Sequence, residues 1–218
     1  MRFSSLTLGL ATFVLASPAM ANTPVVPRQL AKMDADAFRA KVTIDDDELE
    51  YITIISTREG FRKEQRLTSS ASFDSHVEAH VNKRTGETRF EVHQFLRYRG
   101  SQRLYDTVHF ADHDNELVVR PLDYARRGDD SMCPNSDFAG DCALTMRLMF
   151  SVDETSLRAA IDRGDGWDLK FKGSPDGRDD FRIRIVSAEI EGLLLAVGDY
   201  RATLPPHVNA GGLAAALR

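Results

Sequence analysis

Within the stretch from Phe73 to Tyr98, Val77, Ala79 and Val81 alternate with His76, Glu78, His80 and Asn82, and after Lys83-Arg84-Thr85-Gly86 the period of two resumes with Phe90, Val92 and their polar neighbours. Alternation on both sides of a short Gly-containing turn predicts a β-hairpin with one buried face. A loop of those four residues pairs Asn82 with Glu87, and sets Val81 opposite Thr88, Ala79 opposite Phe90 and Val77 opposite Val92. Apolar then meets apolar, which supports the register. Because successive side chains point to opposite faces, the same register places His76, Glu78 and His80 across from His93, Glu91 and Arg89 on the other face.

The same reading extends along the chain. Phe38, Ala40, Val42 and Ile44 alternate with Arg39, Lys41 and Thr43 and predict a half-buried strand, followed by an acidic turn at Asp45–Glu48 and a β-branched strand over Tyr51–Ser56. That acidic turn lacks the longer Gly-containing spacing of a calcium loop and reads as solvated. Leu104–Phe110 and Leu117–Arg120 predict a second hairpin turning at Asp112–Asn115 and ended by Pro121, and Ala143–Ser151 predicts a further strand. In the turn, Asp112-His113-Asp114 suits local side-chain to backbone bonds better than a metal clip.

Asp153 is placed as an N-cap, with Val152 and Leu157 as a hydrophobic staple, for a helix whose apolar face is Leu157, Ala160 and Ile161 and whose end is Gly164. Trp167–Lys172 and Phe181–Val186 alternate around the turn-forming Gly173–Gly177, and Trp167 reads as core. Ser187 then caps a last helix, with Ile190, Leu193, Leu194 and Val197 on one face and Gly198 at its end. About eight antiparallel strands with two helices late in the chain predict an α+β fold, hairpins forming the sheet and the helices packing on it.

The ends of the chain read differently. Arg2, the apolar run Leu6–Ala16 and Ala19-Met20-Ala21 have the three parts of a cleavable signal peptide spanning residues 1–21. The run is too short for the ~20 residues of a membrane-spanning helix, and Asn22 stands where a lipoprotein needs Cys. The expectation is a periplasmic or secreted protein, with an irregular lead-in over 22–36, one domain over 37–201 and a small-residue-rich tail over 202–218.

The chain has 28 basic and 33 acidic side chains. Removing the leader takes away only Arg2 among them. An acidic balance repels phosphate backbones and anionic lipid, so nucleic acid and bare membrane are poor partners, and a protein or small molecule in the periplasm is the expected one. Cys133 and Cys142 are the only cysteines. In an oxidising compartment such a pair predicts a disulfide closing a polar loop.

The short-spaced Cys pair, ALTMRLMFSVD, TSLRAAID, WDLKFK with FRIRIV, and AEIEGLLLAV resemble, over roughly residues 75–200, exported bacterial proteins of unknown function. The resemblance implies export and a β-rich fold, and it carries over no catalytic residues.

Candidate chemistry is sparse. The chain contains no G-x-S-x-G, H-E-x-x-H, phosphate-binding G-x-x-x-x-G-K, or dinucleotide-binding glycine motif. Three classes remain, in order of preference: a non-enzymatic binding or assembly module without a cofactor, a metal-binding protein using the His/Glu face of the first hairpin, and a hydrolase with dispersed site residues. For the second, His76 and His93 are close enough across the ladder to share one Zn²⁺, with Glu78 or Glu91 as a diagonal third ligand and water completing a tetrahedron. His76 and His80, on one strand, stand about 7 Å apart. The plainer reading of that face, ordinary cross-strand His, Glu and Arg pairs, is the one the sequence favours. Arg126-Arg127 with Asp129-Asp130 reads as a solvated loop.

Overall fold

The computed structural model describes residues 30–58, 72–99, 103–128, 143–173 and 180–205, with isolated positions at 24, 26, 28 and 177. The expected signal peptide, most of the tail, and Cys133 and Cys142 with their loop lie outside the described residues.

The fold is α+β and mostly β, and the described residues form ten strands in two antiparallel sheets and three α-helices, two of them late in the chain. The strands are β1 (Thr43–Asp45), β2 (Ile52–Ser56), β3 (Ser72–Asn82), β4 (Thr88–Arg99), β5 (Thr107–Ala111), β6 (Leu117–Pro121), β7 (Tyr124–Gly128), β8 (Ala143–Val152), β9 (Trp167–Lys172) and β10 (Phe181–Ile185). The larger sheet runs β1-β2-β3-β4-β8-β7 and the smaller β10-β9-β5-β6.

The β3–β4 hairpin has the expected register, Val81 opposite Thr88, Ala79 opposite Phe90, Val77 opposite Val92, and so on to Ser72 opposite Arg97. Its loop closes with Asn82 N–H donating to the Glu87 carbonyl at 2.9 Å and with Gly86 at φ 71°, a conformation open to glycine at little cost. Asn82 Oδ1 also accepts from the amides of Arg84 and Thr85.

One apolar core holds the molecule together. Val77, Ala79 and Val81 of β3, Phe90 and Val92 of β4, and Leu148 and Phe150 of β8 contribute one face of the larger sheet. Phe150 meets Phe110, Trp167 and Phe171 of the smaller sheet, with ring centroids 6.0, 6.1 and 6.3 Å away. Trp167 is fully buried, as its alternation predicts. The helix α3 (Ser187–Thr203) adds Ile190, Leu193 and Val197 to the same core and packs on β2 and β3. Both layers therefore lie on one face of the hairpin, and the opposite face is left for His76, Glu78, His80, Glu91 and His93.

Several local expectations are met. Asp153 caps α2 (Glu154–Asp162) by accepting from Ser156 N–H at 2.7 Å, and Asp112 Oδ1 accepts from the amides of Asp114 and Glu116. Others are corrected. The alternating stretch at 38–44 is not one strand: Asp34 caps the short helix α1 (Ala35–Arg39), and only Thr43–Asp45 pairs in the sheet. A helix this short depends on tertiary contact, and α1 obtains it from α3, against which Phe38 is buried. The α3 N-cap is Val186, and the Ser187 hydroxyl instead donates to the Ala160 carbonyl.

Gly198 does not end α3. The last turn is held from outside, because Tyr200 donates to Asp46 and Arg201 donates to the Thr88 hydroxyl. Pro121 is the last residue of β6 and does not merely follow it; at an edge strand a missing amide hydrogen is tolerated. The strand β7, unexpected because Tyr-Ala-Arg-Arg-Gly has no alternation, forms the exposed far edge of the larger sheet.

Candidate metal centre

The two long strands β3 and β4 create the site by their pairing. His76 is opposite His93, Glu78 opposite Glu91, and His80 opposite Arg89. On the next strand out, Ser56 of β2 is opposite Glu78. Side chains directly or diagonally across an antiparallel ladder lie within reach of one another. Period-two alternation thus gathers these groups on one surface.

One ligating atom from each of Glu78, His80, Glu91 and His93 lies within 4.8 Å of all the others. The contacts form a closed alternation of nitrogen and oxygen. His93 Nε2 is 3.0 Å from Glu91 Oε2 and 3.3 Å from Glu78 Oε2, while His80 Nε2 is 3.4 Å from Glu91 Oε2 and 3.7 Å from Glu78 Oε2. His80 Nε2 is buried and makes no hydrogen bond of good geometry.

The other carboxylate oxygens face away from this centre. Glu78 Oε1 accepts from the Ser56 hydroxyl at 3.1 Å and lies 3.1 Å from His76 Nε2. With the carboxylate ionised, the imidazole hydrogen of that contact belongs on Nε2 of His76. Glu91 Oε1 accepts from Arg89. Each glutamate is thereby oriented, with one oxygen held by neighbouring donors and one turned to the two imidazoles.

Electrostatics follow from this geometry. Burial raises the Glu78 carboxyl, but its close contacts with the imidazoles of His76, His80 and His93 outweigh it, so the group is held well below the usual carboxylate range. Contacts with His80 and then His93 depress Glu91 similarly, against the opposing effect of its burial. The carboxylates of Glu78 and then Glu91 push His80 up to about 9, although burial acts the other way. The cluster is two carboxylates organised around cationic groups.

No protein-family model, curated protein or solved structure matches the chain. The chemistry of the cluster must therefore be read from its own atoms.

Of the residues singled out by sequence, Glu78, Glu91 and His93 converge on the centre. His76 stacks on His93, with ring centroids 5.1 Å apart and planes 9° from parallel, and its Nε2 is taken by Glu78 Oε1. The second imidazole of the group is that of His80. Direct opposition across the ladder favoured His76. His80 is opposite Arg89, and it reaches Glu91 along the diagonal and Glu78 along its own strand. The usable signal was the full His76-x-Glu78-x-His80 alternation, in which both histidines flank the same carboxylate.

Proposed function

We propose that this protein binds zinc reversibly through Glu78, His80, Glu91 and His93, which is the second of the three classes left open by the sequence. The observation that carries the reading is the set of four nitrogen–oxygen separations, 3.0 to 3.7 Å. They are four of the six edges of the group and bracket the ligand–ligand edge of about 3.3–3.5 Å expected for a tetrahedral Zn²⁺ with bonds of about 2.0–2.1 Å. The other two, His80 to His93 and Glu78 to Glu91, are within 4.8 Å and would close further on an ion.

Four protein ligands fill a tetrahedron and leave no open position for a reacting water, which favours binding over catalysis. All four come from one hairpin whose opposite face is packed in the core. Zinc there links residues already adjacent, so the fold does not depend on it. Such a site suits exchangeable metal. With the leader expected at residues 1–21, the protein would carry this site in the periplasm.

The test is calorimetric titration of chelator-treated protein with zinc. One equivalent is expected per chain, with no measurable binding in a His80→Ala, His93→Ala variant of unchanged circular dichroism. Equal heats from the two proteins would refute the assignment.

A further inference from the structure

We infer that Ser56, His76 and Arg89 set the metal selectivity of the centre by reserving Oε1 of each glutamate, so that Glu78 and Glu91 can each offer a metal only Oε2. This inference rests on the zinc reading above and assigns a role to three residues outside the ligand set.

A carboxylate can bind a cation through one oxygen or two. Larger, harder ions such as Mn²⁺ and Ca²⁺ take six or more oxygen-rich ligands, often with both oxygens of a carboxylate, whereas zinc in closed sites takes four. Both glutamates here are restrained to the first mode. Ser56 is fixed as a donor because its Oγ accepts the Arg58 amide, and it donates to Glu78 Oε1 at 3.1 Å. His76 occupies the same oxygen at 3.1 Å, and Arg89 occupies Oε1 of Glu91.

His76 has a second contact that bears on the site. Its ring lies nearly parallel to that of His93, which limits how His93 can turn. It is itself largely buried, and its Nδ1 makes no hydrogen bond. A buried imidazole with one orphaned nitrogen contributes little to folding. Its favourable contacts are with two proposed ligands, Glu78 and His93. Groups that hold metal ligands in this manner typically change affinity 10–100-fold when removed.

The test compares wild type with Ser56→Ala, His76→Phe, in which the aromatic ring is kept while both donors to Glu78 are lost. Zinc and manganese affinities are measured separately, and the visible spectrum of the cobalt-loaded protein reports coordination number. In wild type we expect an intense tetrahedral cobalt spectrum and a strong preference for zinc. In the variant, zinc affinity should fall 10–100-fold, the zinc-to-manganese ratio should fall at least tenfold, and the cobalt bands should weaken as coordination expands.

Arg89→Ala provides the same test for Glu91 at a side chain that is 64% exposed, and it serves if the double variant does not fold. Retained zinc binding with an unchanged zinc-to-manganese ratio and cobalt spectrum would overturn this inference alone. Failure of wild type to bind zinc would overturn the metal reading and this inference with it.

Discussion

Glu78 and Glu91 are direct partners across the β3–β4 ladder, and each turns Oε2 toward the same two imidazoles, His80 and His93. Like charges directly opposite each other destabilise a sheet. This pair is offset by the cations around it, and a divalent ion would offset it more fully. Glu91, with a side chain only 4% exposed, is the better probe. Glu91→Gln should weaken zinc binding at least 100-fold, as expected for loss of an anionic ligand, and calorimetry at pH 7 would read it. Wild-type affinity in that variant would remove Glu91 from the site.

Zinc must displace a proton to bind. His80, pushed up to about 9, carries its proton at neutral pH, and metal coordination needs the neutral ring. Titrations at pH 7 in buffers of different ionisation enthalpy should show release of about one proton per zinc, falling toward zero above pH 9.5 or so. Without metal, the raised value means that charged His80 stabilises the fold fully below its unfolded value of 6.5. That contribution is lost as pH rises through about 9. Zinc-binding heats independent of buffer at pH 7 would contradict the proton displacement.

A second titration lies in the core. Glu189, in the first turn of α3, is 2% exposed; burial pushes its carboxyl up to about 8, against the hydrogen bond from Thr57 at 2.6 Å. The folded protein holds this proton more tightly than the unfolded one, so stability from this group is greatest below about 4.5 and falls as pH rises to about 8. Glu189→Gln should flatten that decline. At pH 8.5 it should be more stable than wild type by up to a few kcal/mol, as judged by urea melts at pH 5 and pH 8.5. A variant less stable than wild type at the higher pH would show that the ionised group is accommodated.

Gly192 is where α1 and α3 touch. A Cβ there would lie 2.7 Å from the Ala35 carbonyl oxygen and 2.7 Å from Phe38 Cβ. Alanine would improve helix propensity by about 1 kcal/mol, but overpacking at so close a contact costs about 1–3 kcal/mol. Gly192→Ala should therefore destabilise the protein modestly in denaturant melts. Zinc affinity should not change, because α1 and α3 pack on the far side of the sheet from the His/Glu face. A stability gain would mean that the two helices separate easily.

The hairpin register was legible because two local rules determine it, side-chain alternation and the length of the loop at 83–86, and both act over a few residues. That register placed His76 opposite His93 and Glu78 opposite Glu91 without any knowledge of the rest of the chain. The Asp153 cap and the burial of Trp167 were legible for the same reason. The division into two sheets was not. Alternation marks which face of a strand is buried but not which strand lies beside it, and the placement of β8 between β4 and β7 is a long-range choice.

The short helix α1 shows the limit most plainly. Residues 38–44 alternate as a strand would, yet Asp34 and the surface offered by Gly192 make residues 35–39 helical, a contact spanning most of the chain. The candidate centre divides in the same way. Composition and spacing determined which imidazoles and carboxylates share a face, since alternation along a paired strand permits nothing else. Which histidine turns its Nε2 inward was decided by tertiary structure: Ser56 arrives from β2 to hold Glu78, His76 is taken up by the same carboxylate, and His80 is the imidazole left to meet both glutamates.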